Sequence, residues 1–194
     1  SSDLPTPAVM SCEFSTRHPM LIAFDLDGTL VDSQRDLAES ANALLAFYGA
    51  RPLEHPHIIG MVGEGAARLV ERACTAAGLD PVPADALDRF LRIYDTRLLN
   101  HTRGYPGIED TLRQAGRKAT LAVLTNKPEA ASRAILQGAG LIGFFDDLVG
   151  GDSQWGRKPE PAGLRWLLAR AGAAPAEALM VGDSHVDLLV ARAA

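Results

Sequence analysis

Apolar positions along the chain follow two patterns. Four short continuous runs, LIAF (21–24), TLAVL (120–124), DLVG (147–150) and ALMV (178–181), have the length and flanks of buried strands. Helical spacing fills the intervals between the later runs. Leu164, Leu167, Leu168 and Ala171 recur at i, i+3, i+4 and i+7 within residues 160–172. Residues 106–116 and 128–138 each open on Pro and close on Gly, as helices tend to do. Strands alternating with helices predict an α/β fold with a parallel sheet covered on both faces.

The interval between the first two runs is different. Residues 34–102 carry no strand pattern and far exceed the dozen or so residues a crossover needs. Three helical stripes occupy it: Leu37, Ala41, Leu44, Leu45 and Tyr48; Ala66, Leu69, Val70, Ala73 and Ala77; Leu87, Phe90, Leu91, Tyr94 and Leu98. They predict a helical insert with its own core, entered through VDSQ and left through RGYPG, whose turn chemistry suits hinges. Residues 1–19 have no periodicity and read as an extension, with Met20 as a candidate native start; they lack the basic start and apolar core of a secretory signal. The expected division is therefore 1–19 as extension, 20–33 with 103–194 as the α/β core, and 34–102 as the insert.

In open parallel sheets, ligands bind beyond the carboxyl ends of the strands. The first run ends in Asp25 and Asp27, with Gly28 after them to turn the chain away. The second ends in Thr125, Asn126 and Lys127; the third in Gly151, Asp152 and Ser153, with Lys158 beyond; the fourth in Gly182, Asp183, Ser184 and Asp187. Asp25 and Asp27 are two apart, so on extended backbone they point to one side. Such close carboxylates repel unless a cation joins them. With Asp183 they make a hard oxygen set suited to Mg2+. Lys158 and the Thr125 hydroxyl can meet the remaining oxygens of a phosphate. One carboxylate can attack phosphorus to form an aspartyl-phosphate, and a second can protonate the leaving alcohol and then activate water.

Composition narrows the partners. The net charge is −5 and no Lys/Arg cluster occurs, which argues against nucleic acid. No apolar run is long enough to span a bilayer. Cys12 and Cys74 sit in no metal or redox spacing and read as unpaired thiols of a cytoplasmic protein. His55 and His57 read as loop residues, His185 as facing solvent or a loop, and Trp155 and Trp166 as packing residues.

DLDGTLVDS resembles the first motif of the haloacid dehalogenase superfamily, in the phosphatase branch with two aspartates; VLTNK, RKPEP and VGDSHVD resemble its second, third and fourth motifs, in order. The resemblance runs from Met20 to Ala194. It implies a Rossmann-like core with an inserted α-helical cap, with Asp25 as nucleophile and Asp27 as general acid/base. It implies Mg2+ held by Asp25, the Asp27 backbone carbonyl and Asp183. Thr125, Asn126 and Lys158 are implied to bind phosphate, with Gly28, Ser184 and Asp187 supporting. Members that remove halogen from carbon lack an acid at the Asp27 position, so that residue argues against dehalogenation. The family core normally continues past the fourth motif with a further strand and helix, whereas this sequence stops at Ala194, within the helix after that motif.

GMVGEGAARLVERA (60–73) is similar to the cap of the phosphoglycolate phosphatases within that family, as are TNKP and GGDS. Gly63 and Gly65 open a helix whose amides could receive a substrate anion, and Arg68 could pair with a carboxylate. A plain helix start with a solvated Arg fits the same residues, and Lys127 reads equally as a site residue or a surface charge. The expected activity is Mg2+-dependent hydrolysis of a small phosphorylated metabolite, 2-phosphoglycolate first. A phosphatase or phosphomutase for a sugar phosphate or nucleotide, and a catalytically silent ligand-binding relative, are the alternatives. The expected oligomeric state is monomer or homodimer.

Overall fold

The computed structural model describes residues 20–194, so the expected extension, with Cys12, lies outside the described residues. The four apolar runs form β1 (Leu21–Phe24), β4 (Thr120–Leu124), β5 (Asp147–Val149) and β6 (Ala178–Val181), joined in one parallel sheet of order β5-β4-β1-β6. Register aligns their carboxyl ends: Phe24 lies beside Val123 on one side and Val181 on the other, and Leu124 beside Val149. The residues after β1, β4 and β6 therefore emerge at one edge.

Side chains alternate across the sheet, and two cores follow from that alternation. Phe24, Leu121, Val123 and Leu148 pack with Leu112 of α5 (Ile108–Ala115) and Ile135 and Leu136 of α6 (Glu129–Gly138). On the opposite face Leu21, Ala23, Ala122 and Leu124 meet Leu164, Leu167 and Leu168 of α7 (Ala162–Ala171) and Val190 of α8 (His185–Ala193). Each large side chain so buried contributes about 1.5–3 kcal/mol. β6 departs from the expected burial. It pairs only with β1 among the described residues, and Leu179 and Val181 are 56% and 38% exposed, because only its Ala178 and Met180 side chains meet a covering helix.

Between β1 and β4, helices α1 (Gln34–Phe47), α2 (His55–Ile59), α3 (Ala66–Ala76) and α4 (Ala86–Asp95) enclose a third cluster that includes Leu44, Leu45, Ile58, Leu69, Cys74, Phe90 and Tyr94. All three predicted stripes contribute to it. Burial in this cluster pushes the Cys74 thiol above its ordinary pKa. The chain enters and leaves this part through two short strands, β2 (Val31–Asp32) and β3 (Arg103–Gly104), paired antiparallel, Val31 with Gly104 and Asp32 with Arg103. The two expected hinge segments are thus laced together. A second clasp lies just beyond. Buried Asp36, in the first turn of α1, accepts hydrogen bonds from the His101 and Thr102 amides (2.9 and 2.8 Å) and the Thr102 hydroxyl (2.7 Å). His55 and His57 are exposed but lie in α2, where Pro56 opens a short helix in what reads as a loop. His185 is exposed, and Trp155 and Trp166 stack on each other at 5.7 Å. No helix among the described residues is long and apolar enough to cross a membrane.

Candidate active site

Asp25 follows β1 directly. Its backbone amide extends the sheet by donating to the Val181 carbonyl at 2.8 Å. Its Oδ1 accepts from the Leu26 amide at 2.7 Å and pairs with the Lys158 ammonium at 2.8 Å. Burial pushes the Asp25 carboxyl up to about 6; Lys158 opposes that rise, while Asp187 and Asp27 add to it. Two residues on, Asp27 accepts from the Ser33 hydroxyl through Oδ1 and pairs with the Lys127 ammonium at 2.8 Å through Oδ2. Between the acids and the rest of the loop, Gly28 holds φ at +83°, and a Cβ there would collide with the Asp183 carboxylate. Glycine is therefore required twice at this point, for the turn and for the neighbour.

Asp183 follows β6, and Asp187 lies in the first turn of α8. Asp187 accepts from the Ser184 amide (3.0 Å) and hydroxyl (2.5 Å) through Oδ2 and pairs with Lys158 at 2.6 Å through Oδ1. Gly182 gives Asp187 room, since a Cβ on it would collide with that carboxylate. The Lys158 ammonium thus lies between Asp25 and Asp187 in a nearly inaccessible position. Asn126 sets that position: its Oδ1 accepts from the Lys158 amide at 2.7 Å, and its Nδ2 donates to the Lys158 carbonyl at 3.1 Å and to the Gly63 carbonyl at 3.2 Å. The Asn126 side chain is therefore committed to holding Lys158 and the loop before α3. Thr125, buried after β4, accepts from the Lys127 amide at 3.2 Å and retains its own hydroxyl proton.

Oxygens of Asp25, Asp183 and Asp187 lie within 4.8 Å of one another. Against these three carboxylates stands the single Lys158 ammonium, so the cluster carries surplus negative charge that a divalent ion would neutralise. Burial also raises the Asp183 carboxyl above its ordinary value. Hard oxygen donors, their spacing and the cradle at Gly28 fit Mg2+. The triplet that the geometry assembles includes Asp187, for which the family resemblance implies only a supporting role.

A cavity of about 180 Å3 opens beside Asp25, Asp27 and Thr125 toward the helical insert. Gly63 and Gly65 line it, and Lys127 is buried in its wall. Arg68 is not brought in; it is exposed and pairs with Glu71 at 2.7 Å. Tyr94 of α4, whose helical stripe marks it as a core residue alone, also lines the cavity and accepts a hydrogen bond from the Lys127 ammonium at 2.8 Å. Its place in an apolar stripe conceals the hydroxyl; a phenol facing the strand ends is the only signal that could have marked it.

Residues 22–194 match the family model described as haloacid dehalogenase-like hydrolase. The chain is similar to a phosphoglycolate phosphatase of Rhodospirillum rubrum, with 44% identity over 91% of this chain and 76% of that protein. It is similar to another of Cereibacter sphaeroides, with 42% identity over 89% of this chain and 80% of that one. A crystal structure of a predicted phosphoglycolate phosphatase from Haemophilus somnus superposes with a TM-score of 0.80 at 34% identity, covering 91% of this chain and 82% of that one.

Proposed function

This chain belongs to the haloacid dehalogenase-like hydrolase family, and from that premise we propose that it is a Mg2+-dependent phosphatase acting through an aspartyl-phosphate on 2-phosphoglycolate. The observation that carries the reading is the shared strand-end cluster: Asp25, Asp183 and Asp187 together, with Lys158 between the first and the last. The similar proteins named phosphoglycolate phosphatase supply the substrate.

The roles follow from which atoms are already engaged. Asp25 Oδ1 is fixed by Leu26 and Lys158, so Oδ2 is the oxygen left to attack phosphorus. Lys158 and the Thr125 hydroxyl receive the phosphoryl oxygens as charge develops on them. Asp27 stands two residues from the nucleophile on the cavity side and transfers the proton, first to the departing alkoxide and then from the attacking water. Asp25, Asp183 and Asp187 would hold Mg2+, which would supply charge neutralisation beside the phosphoryl group. The insert shields the reacting groups from bulk water.

The test is Asp25→Asn, assayed with Mg2+ against a panel of phosphate esters. Loss of a nucleophile predicts a fall in turnover of ~10^3-fold or more with an unchanged circular-dichroism spectrum. Wild-type activity in that variant would refute the nucleophile, and a wild-type enzyme that prefers sugar phosphates would refute the substrate.

A further inference from the structure

The residues that meet the phosphoryl group do not account for the other end of the substrate. That end must enter the cavity toward the insert, whose walls include Leu37, Val62, Leu69, Phe90 and Leu91. At about 180 Å3 the cavity is smaller than the ~300 Å3 at which pockets for drug-sized ligands begin. A sugar placed there would set hydroxyls against hydrocarbon, which is costly for each group left unpaired. Away from the strand-end residues Asp25, Asp27, Thr125 and Asn126, this lining is interrupted by Lys127 and Tyr94, and Lys127 is the only cation among the described lining residues. Asp95 also lines the cavity, but it is exposed.

An ammonium has three N–H donors. Lys127 gives one to Asp27 Oδ2 and one to the Tyr94 oxygen, both at 2.8 Å, which leaves one. The Tyr94 oxygen accepts that bond, and its own proton has no acceptor among the described residues. Burial alone would lower the Lys127 ammonium, but Asp27 and Tyr94 outweigh it and hold the group above its ordinary value, so it stays charged. Burial, with Asp27 adding to it, pushes the Tyr94 phenol up against the opposing Lys127, so it keeps its proton. Two adjacent, buried donors therefore lie beside the apolar side chains that the insert contributes to the wall.

We propose that Lys127 and Tyr94 form a two-donor carboxylate site, which binds the acid end of the substrate and selects short phosphorylated acids over neutral esters of the same size. The inference rests on the phosphatase reading above and adds the residues that would distinguish an acid from its neutral analogue. Lys127 comes from the sheet edge and Tyr94 from α4, so the carboxylate bridges the two parts of the molecule that enclose the cavity. Lys127 also contacts Asp27, so its removal slows every substrate; the ratio between two substrates isolates recognition.

The experiment measures kcat and KM with Mg2+ for 2-phosphoglycolate and for its uncharged amide, carbamoylmethyl phosphate. Wild type, Lys127→Met and Tyr94→Phe are compared. The wild type should prefer the acid by about tenfold or more in kcat/KM. Lys127→Met should erase that preference, mainly through a higher KM for the acid. Tyr94→Phe, which keeps the Lys127–Asp27 pair and the packing of the ring, should reduce the preference several-fold even if Lys127→Met folds poorly. An unchanged acid-to-amide ratio in both variants overturns the site while leaving the phosphatase reading intact. A wild type that hydrolyses neither ester overturns that reading and this inference with it.

Discussion

At the scale of single residues, the site depends as much on absent side chains as on charged ones. Gly28 and Gly182 each occupy a position where a Cβ would strike a carboxylate of the strand-end triplet. Gly28→Ala adds the cost of a positive φ, about 1–2 kcal/mol, to a collision with Asp183. The carboxylate can yield by swinging toward solvent, since Asp183 is exposed. Function should therefore suffer more than the fold. The Mg2+ concentration for half-maximal activity should rise by about 10–100-fold, as when a group orienting a metal ligand is lost. A titration of activity against Mg2+ reads this directly; an unaltered midpoint would detach Asp183 from metal binding. Similar commitment explains Asn126. Its three side-chain hydrogen bonds to Lys158 and Gly63 make it a brace, a role that only the folded geometry displays.

At the scale of elements, the two connections between sheet and insert are the informative pieces. β2 and β3 are two residues each, too short to show any period, and their pairing unites segments some seventy positions apart in sequence. Asp36 adds a side-chain clasp across the same gap. Asp36→Ala leaves the buried Thr102 amide and hydroxyl and the His101 amide without their acceptor, which should destabilise the protein by about 2–4 kcal/mol. Urea denaturation measures this; a loss below about 0.5 kcal/mol would mean that water replaces the carboxylate freely. The contrast defines what was legible in the sequence. All four apolar runs became the sheet strands and all three stripes became helices, because burial imposes a period that a single segment displays. The strand-end acids were legible because parallel topology brings those ends to one edge. Tyr94, Asp36 and the β2–β3 ladder were not, because each acquires its role from a partner far away in the chain. Arg68 stays open in the sequence for a related reason: its place one turn into a helix beside the cavity says nothing of which face it occupies, and in the structure it is solvent-exposed and paired with Glu71.

At the scale of the whole molecule, charge at the sheet edge couples ion binding to stability. Asp25, Asp183 and Asp187 are brought within reach of one another only when β1, β6 and α8 are assembled, so the triplet exists in the folded state and not in the unfolded chain. Folding must therefore work against their repulsion, which Lys158 offsets only in part. An ion that binds the folded form alone stabilises it by RT ln(1 + [L]/Kd), about 2.7 kcal/mol at a hundred times Kd. For a chain of this length each kcal/mol raises the melting temperature by about 2–4 °C. Saturating Mg2+ should thus raise it by about 5–10 °C, and chelation should reverse the rise. Asp183→Asn removes one of the three charges at an exposed position while keeping the shape of the side chain. That variant should melt at or above the wild-type temperature without metal and gain little from Mg2+. Thermal melts of both proteins, with Mg2+ and with chelator, separate specific binding from a general salt effect. Equal gains in the two would show that the cation acts on the surface at large, whereas a gain confined to the wild type would place it at the strand-end carboxylates.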